Sequence, residues 1–278
     1  MPTRAQTIID ATTIFESAEY PTGLTSSTAW LGIYQTLLWY EPVNWVGFIE
    51  LPHIIDSDKL RTASPQQQRT WVKPKPWQAR AQAISEYIAL KLECPVTSVP
   101  DKVDLLMKRP EYFGMQRHNS LGIAFAGLVT HILNRFGSPG LSYATEVPAP
   151  TVFPNASFLG RTSATRIDAL VSVSGIPRVA ISAKWSLRHD RLKDVINECE
   201  VYERAFQQTY PQLGSSGILT YLITNEYHPA RLKELLATPC LAGVVHVHKA
   251  AVVDVCGLNG RLAQMMDLTN LINATASW

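Results

Sequence analysis

The second half of the chain contains several runs in which apolar residues dominate or alternate with polar ones, a pattern typical of buried strands. Two of these runs, "IDALVSVSG" at 167–175 and "PRVAISAKWS" at 177–186, are joined by a Gly175-Ile-Pro177 turn and predict a hairpin. Further strands are predicted at 141–153, 217–226 and 242–253.

Other segments place apolar residues at helical spacing. The most apolar of them, "SLGIAFAGLVTHILNRFG" at 120–137, ends at Gly137 and Pro139 and is typical of a helix in the middle of a core. From the hairpin onwards the predicted order is β-β-α-β-α-β-α. We therefore expect an α/β fold, with a mixed central sheet flanked by helices in three layers. The other predicted helices lie at 27–40, 78–93, 190–208, 229–237 and 260–273.

The first 77 residues are predicted to form an N-terminal helical and extended region in front of a core at 78–278. A strand-like run lies at 45–51. Residues 60–77, "LRTASPQQQRTWVKPKPW", carry three prolines, three glutamines and several cations. That composition is typical of an exposed, extended arm that has little to bury. We treat residues 1–278 as one domain with this arm attached.

Composition changes this picture little. The 278 residues are 46% hydrophobic and 17% charged, with a formal net charge of +2, so any basic surface must be local. No apolar stretch approaches the roughly 20 residues that a membrane span needs, and we expect a cytoplasmic protein without a membrane partner.

The cysteines are widely spaced and predict reduced thiols rather than a disulfide framework. They are Cys94, Cys199, Cys240 and Cys256.

Two charged residues interrupt the predicted hairpin strands. Asp168 lies inside one apolar run, and Lys184 lies near the end of the next. Because a tight turn joins the strands, the ends that carry these residues can lie side by side. Buried charges are costly unless they are paired or bind a metal. The pair is therefore either a structural salt bridge at the sheet edge or part of a functional site.

A third charged residue favours a functional site. Glu198 follows Lys184 by 14 residues, on the helix that leaves the second hairpin strand. Carboxylates bind Mg²⁺ through oxygen, and Mg²⁺ activates a water and neutralises charge on a phosphoryl group. A lysine ammonium beside them can stabilise the attacking hydroxide or the phosphate oxygens. These residue types are those that metal-dependent phosphodiester hydrolysis requires.

Asp168, the "SAK" triplet that ends at Lys184 and the downstream Glu198 resemble the PD-(D/E)xK nuclease core in its permuted form. In that form the acid two residues before the lysine is replaced, here by Ser182, and a glutamate on the next helix takes its function. The string "SAKWSLRHDR" from Ser182 to Arg191 is similar to the restriction endonucleases that cut at sites with a CCGG core.

This resemblance implies a restriction-endonuclease-like core and a type II restriction endonuclease that cleaves double-stranded DNA with Mg²⁺ as cofactor. It implies that Asp168 and Glu198 bind the metal and that Lys184 stabilises the nucleophile. Glu86, on the helix after the arm, resembles the helical acid that these nucleases add to the metal site, although an exposed surface glutamate is the alternative. A palindromic site implies a homodimer, at least on DNA.

The sequence departs from the family pattern in two places. Ile167 stands before the aspartate, where proline is frequent, and the hairpin between Asp168 and Ser182 is shorter than in some relatives. Neither departure removes a predicted ligand. Glu198 is preferred to Glu200 because of its spacing from the lysine, and Glu200 stays an alternative.

The residues after the lysine suggest how DNA sequence is recognised. Arg188 and Arg191 are three residues apart and project from one helical face. Arginine binds guanine O6 and N7, and a carboxylate such as that of Asp190 accepts from cytosine N4. In the family this string contacts the CCGG core. The alternative is a solvated helix start with Asp190 as its N-cap.

The arm and the helix after it offer a second group of candidate DNA contacts. Cations there could bind phosphates, and glutamines could reach the minor groove, although a solvated loop is an equal alternative. Ser182 is also counted among the candidate DNA contacts. The arm candidates are Lys73, Lys75, Gln78, Arg80 and Gln82.

His246 and His248 share a strand face, but with no third ligand in view we interpret them as strand histidines rather than a metal pair.

Three hypotheses about function stay open. The chain is either a site-specific nuclease, a non-specific or repair-type nuclease, or a DNA-binding module whose charged residues form structural ion pairs. No GxGxxG, Walker or GxSxG motif supports nucleotide hydrolysis or acyl transfer.

Overall fold

A computed structural model of the chain describes residues 3–17, 23–40, 89, 93–98, 119–156, 158, 166–185, 187, 189–213, 217–226, 229–256 and 260–278. The arm at 60–77, the strand predicted at 45–51 and the proposed division after residue 77 lie outside the described residues. Most of the helix predicted at 78–93 does so too, although Ala89 within it is helical.

A six-stranded mixed sheet stands at the centre, with its strands in chain order from β1 to β6. Strand β2 pairs antiparallel with both β1 and β3, whereas β3 to β6 run parallel to one another. The α/β class with a mixed sheet is thus as predicted. The strands are β1 (Ser142–Pro148), β2 (Arg166–Val173), β3 (Ile176–Lys184), β4 (Leu219–Thr224), β5 (Leu241–His246) and β6 (Met266–Asp267).

Helices flank the sheet and connect its parallel strands. Short 3₁₀ turns lie at Val96–Ser98, Pro211–Leu213, Gly260–Gln264 and Thr275–Ser277. The helices are α1 (Arg4–Ser17), α2 (Ala29–Tyr40), α3 (Asn119–Phe136), α4 (Ala149–Val152), α5 (His189–Thr209), α6 (Pro229–Leu236), α7 (Lys249–Cys256) and α8 (Leu268–Ala274). No helix among these described segments is long and apolar enough to cross a membrane.

Alternation along the hairpin assigns each side chain to one of two packed faces. Val171, Val179 and Ile181 face the cluster that contains the buried residues of α3. Leu170 and Ala180 face the opposite side, where they pack with buried residues of α5. By the same alternation, the polar residues at 168, 182 and 184 lie on the α5 face of the sheet. The hairpin therefore brings its charged side chains beneath one helix.

Three predicted elements end or begin elsewhere in the structure. The strand predicted at 141–153 stops at Pro148 because Pro148 and Pro150 lack the N–H that a sheet ladder needs, and α4 follows with proline in its first turn. The strand predicted at 242–253 stops at His246, and α7 begins at Lys249. The helix predicted at 260–273 is divided by β6, and Asp267 with Asn270 forms a capping box that starts α8. Helix α1 had not been predicted.

The cysteine prediction is wrong for one pair. Cys199 on α5 and Cys240 before β5 form a disulfide, with Cα atoms 6.0 Å apart, while Cys94 is free. These two cysteines are 41 residues apart in sequence, so no short motif predicts their pairing. They meet because α5 packs over β4 and β5, where Val195 contacts a cluster that includes Leu222 and Val244.

Gly137, directly after α3, is predicted to be intolerant of alanine. A Cβ there would lie 2.5 Å from the Tyr143 Oη atom and would also meet the Leu133 carbonyl. We expect Gly137→Ala to lower the free energy of unfolding by about 1–3 kcal/mol, measured by denaturant titration. Gly122→Ala, within α3, is the control, because a Cβ there meets nothing within 4 Å. An unchanged midpoint for Gly137→Ala would contradict this packing.

Candidate active site

Asp168 and Lys184 meet at one end of the hairpin. The Lys184 Nζ atom donates to the Asp168 Oδ2 atom over 2.8 Å. The same oxygen accepts the Ala183 backbone N–H, also over 2.8 Å. The two side chains retain 20% and 17% exposure, for the lysine and the aspartate respectively. The pair is thus held by the sheet but still accessible from one side.

Glu198 reaches the same place from α5. Its Oε1 atom lies 3.5 Å from the Lys184 Nζ atom, and its Oε2 atom accepts a 2.8 Å hydrogen bond from the Ser182 hydroxyl. Glu198 is 4% exposed, whereas Glu200 points outward and is exposed. Of Glu198 and Glu200, the structure therefore brings Glu198 to the lysine, with its other oxygen on the Ser182 hydroxyl.

The pKa values of Lys184, Glu198 and the neighbouring Tyr202 are shifted from their ordinary values. Burial alone would lower the pKa of Lys184, but the Asp168 and Glu198 carboxylates reverse this and raise it above its ordinary range. Burial raises the pKa of Glu198 to about 7, against the attraction of the Lys184 ammonium and with the help of Asp168. Burial, and then the nearby Glu198 carboxylate, raises the pKa of Tyr202. Ionisable groups that lie close together and have shifted pKa values are typical of functional sites.

Glu146 is an acidic residue at this site that the sequence analysis missed. It lies on β1 across from Asp168, in a left-handed backbone conformation with φ 54°. Arg4 of α1 forms an ion pair with its carboxylate, and the Arg166 guanidinium donates to its backbone carbonyl over 2.6 Å. Burial and the Asp168 carboxylate raise its pKa. Non-glycine residues held in this conformation are concentrated at functional sites.

The side chains at this site offer carboxylate oxygens as possible metal ligands. Among the residues that the structure describes, no group of three or more His, Cys, Asp or Glu side chains is placed to hold a metal ion. Mg²⁺ is usually bound by one or two carboxylates, with waters and substrate phosphates completing its coordination. Asp168 and Glu198 would be those carboxylates.

Only some of the residues predicted to contact DNA lie among the described residues. Arg188 lies outside the described residues, while Asp190 and Arg191 lie in the first turn of α5 with side chains that are not described. Ser182 is 3% exposed and bonded to Glu198, which places it inside the site rather than on its surface. The remaining candidates are outside the described residues: Lys73, Lys75, Gln78, Arg80, Gln82 and Glu86.

The two histidines have hydrogen-bonding and packing roles. The His246 Nε2 atom donates to the Glu226 carbonyl over 2.9 Å, and its Nδ1 atom accepts the His248 N–H over 3.0 Å. His248 stacks on Trp30 with ring centroids 3.9 Å apart. His246 is fully buried, and both of its ring nitrogens are engaged. His246 is thus a buried histidine at the end of β5, as predicted, whereas His248 lies in the turn after β5 and not on the strand.

The raised pKa of Glu198 predicts a stability effect with a definite sign. The folded protein holds this proton up to about pH 7, whereas the unfolded chain releases it near its ordinary value of 4.5. The stability that this proton confers is therefore present below pH 4.5 and is lost as the pH rises to about 7. Measured in EDTA, the melting temperature of the wild type should fall relative to that of Glu198→Gln across this range.

The matched control for this measurement is Glu200→Gln, which alters an exposed glutamate on the same helix. It should show the same dependence on pH as the wild type. A constant difference in melting temperature between the wild type and Glu198→Gln would show that Glu198 has an ordinary pKa.

Comparisons of the chain with protein-family models and with curated protein sequences found no match. Any functional assignment therefore rests on the α/β fold and on the side chains gathered at the carboxyl end of β3.

Proposed function

We propose that the protein is a type II restriction endonuclease that cleaves double-stranded DNA by Mg²⁺-dependent phosphodiester hydrolysis at a palindrome with a CCGG core. The proposal rests on one observation. Three charged side chains from three different elements meet at one partly exposed site: Asp168, Lys184 and Glu198. The mixed sheet with a flanking helix over this place supports a restriction-endonuclease-like, PD-(D/E)xK type of core.

The chemistry follows from the residues present. Asp168 and Glu198 would hold Mg²⁺, which when bound supplies an activated water and neutralises charge on the phosphoryl group. The Lys184 ammonium stabilises the developing charge on the attacking oxygen or the phosphate, because it stays protonated beside two carboxylates. Ser182 orients the Glu198 carboxylate through its hydroxyl. The products would carry 5′-phosphate and 3′-hydroxyl ends after a staggered cut.

Recognition of DNA would come from the start of α5. Arg188, Asp190 and Arg191 follow Lys184 within seven residues of the chain, so the recognising and hydrolysing groups belong to one continuous segment. Arginine and aspartate together suit G·C pairs in the major groove. A palindromic site would require two symmetric copies, hence a homodimer on DNA. As part of a restriction–modification system, the enzyme would act in the cytoplasm.

A specific observation favours a second candidate, a DNA-binding module without hydrolytic activity. The 2.8 Å contact between Lys184 and Asp168 satisfies both charges, as a structural ion pair does. A non-specific or repair-type nuclease is the third candidate, because it would share the same hydrolytic groups. The three candidates differ in what they do to DNA.

Digestion of one sequenced plasmid separates them. We expect discrete fragments with Mg²⁺ and none with EDTA, and sequencing of the fragment ends should place every cut at a CCGG-containing palindrome. A smear that depends on Mg²⁺ would indicate the non-specific nuclease. Intact plasmid under all conditions, together with DNA binding, would indicate the non-hydrolytic module.

A further inference from the structure

The segment between β3 and α5 is held through both backbone polar groups of one residue, Leu187. The backbone N–H of Leu187 donates to the Glu226 Oε2 atom over 3.0 Å. The Leu187 carbonyl accepts a 2.5 Å hydrogen bond from the Arg231 Nη1 atom. One residue before Glu226, the Asn225 N–H donates to the Trp185 carbonyl over 3.1 Å. We refer to Glu226 and Arg231 as the Leu187 clamp.

The two residues of the clamp support each other. Glu226 is 2% exposed, and the Arg231 Nη1 atom lies 3.3 Å from its Oε2 atom. A buried carboxylate is costly unless it is paired and hydrogen-bonded, and Glu226 has both an arginine and a backbone N–H as partners. The same guanidinium nitrogen contacts both the carboxylate and the Leu187 carbonyl. Loss of Arg231 would therefore remove two hydrogen bonds, one to the Leu187 carbonyl and one to the Glu226 carboxylate.

The clamp is fixed to the parallel part of the sheet. The Glu226 carbonyl accepts from the buried His246 Nε2 atom over 2.9 Å, and its N–H donates to the Thr224 hydroxyl over 3.2 Å. The Thr224 carbonyl accepts the Val247 N–H over 3.0 Å. The ends of β4 and β5 thus form a rigid support, which explains why polar residues are buried there.

Leu187 lies at the joint between the two parts of the proposed site. It follows Lys184 by three residues and precedes His189, the first residue of α5, by two. The first turn of α5 carries Asp190 and Arg191. A residue whose backbone N–H and carbonyl are both fixed at this point sets the position of that turn relative to the lysine. Fixed geometry of this kind is what a bidentate base contact requires.

We propose that Glu226 and Arg231 are positioning residues that align the start of α5 for recognition of the DNA sequence. This inference rests on the proposed function and assigns it two specificity-determining residues outside the β3–α5 segment. The clamp makes no contact with Asp168 or Glu198 among its hydrogen bonds. Its loss should therefore impair the preference for the cognate site more than general DNA binding.

The test compares wild type and Arg231→Ala on two duplexes of equal length, in Ca²⁺ to prevent cleavage. One duplex carries a site mapped by the plasmid digestion, and the other carries the same bases in scrambled order. We expect Arg231→Ala to reduce the ratio of the two affinities by about tenfold to a hundredfold, as for loss of a hydrogen bond to a charged group. Affinity for the scrambled duplex should change less than about threefold.

Two further variants distinguish positioning from a general loss of stability. Arg231→Lys keeps the positive charge and N–H donors but lacks the planar guanidinium group and its reach, so it should restore part of the preference. Arg135→Ala breaks an exposed arginine–glutamate pair with Glu16, between α3 and α1, and should leave the preference unchanged. Melting temperatures measured in parallel show whether each variant is folded at the assay temperature. If Arg231→Ala unfolds, Arg231→Lys alone decides, with a preference below that of the wild type expected.

The outcomes separate the clamp from the proposed function. A wild type that discriminates between the duplexes, with the folded Arg231 variants equal to it, would overturn the clamp alone. A wild type that binds both duplexes equally would overturn the proposed site specificity and the role of the clamp together. Equal losses on both duplexes would make Arg231 a structural residue rather than a positioning one.

Discussion

Replacing Lys184 with alanine is expected to lower the rate constant of DNA cleavage by at least about 10³-fold while leaving DNA binding intact. The Lys184 Nζ atom lies 2.8 Å from Asp168 and 3.5 Å from Glu198 in the half-open site. It is therefore the positive group best placed to stabilise charge that develops during attack on a phosphate. Cleavage is measured with Mg²⁺ in single-turnover assays, and binding is measured with Ca²⁺.

The control for this variant is Lys193→Ala, which removes an exposed lysine from α5. It should retain the cleavage rate of the wild type within a few fold, because Lys193 takes no part in the site. Normal cutting by Lys184→Ala would remove the lysine from the mechanism. Loss of both cutting and binding would show instead that the lysine is needed to hold the local structure.

The second large effect is expected at Glu198. Glu198→Ala should lower cleavage by at least about 10²-fold, because it removes one of two carboxylates that would hold the metal. Glu200→Ala should cleave like the wild type, since Glu200 is exposed and only two positions away on the helix. The rate constant is measured across a Mg²⁺ titration. The Glu198 variant should require more Mg²⁺ wherever its residual activity is measurable.

This pair of variants resolves the alternative that the spacing left open. The opposite result, with Glu200→Ala inactive and Glu198→Ala active, would mean that α5 is rotated in the active complex. Equal activity of both variants and the wild type would show that neither glutamate serves the reaction.

The part of the site that the sequence predicts is the part that local geometry determines. Alternation in the outer part of the hairpin puts Asp168 on the same face as Lys184. This depends on a one-residue register shift between Val171 and Ser172, which the turn residues alone do not predict and without which the two side chains would lie on opposite faces. Glu198 follows because α5 starts soon after β3 and must pack back on the sheet. Its helical spacing from Val195 and Tyr202, both buried, keeps it on the inner side of the helix.

The rest of the site depends on contacts between distant segments, which periodicity does not encode. Glu146 faces Asp168 only because β1 pairs with β2 in one register. Glu226 reaches Leu187 only because β4 lies parallel to β3. Its signal in the sequence was a carboxylate at the end of the apolar run at 217–226. The disulfide between Cys199 and Cys240 needs the packing of α5 over β5. Strand order and register are properties of the whole sheet.

The measurement that tests the central claim most directly is Mg²⁺-dependent cleavage of a supercoiled plasmid by the wild type and by Asp168→Asn, purified in parallel. The substitution keeps the shape of Asp168 but removes the charge that would bind the metal and that now pairs with Lys184. We predict that the wild type converts the plasmid to defined linear fragments with Mg²⁺ and does not cleave it in EDTA. Asp168→Asn should leave the plasmid supercoiled with Mg²⁺ and in EDTA. Equal cleavage by the two proteins, or cleavage that persists in EDTA, would contradict a metal-dependent site built on Asp168, Lys184 and Glu198.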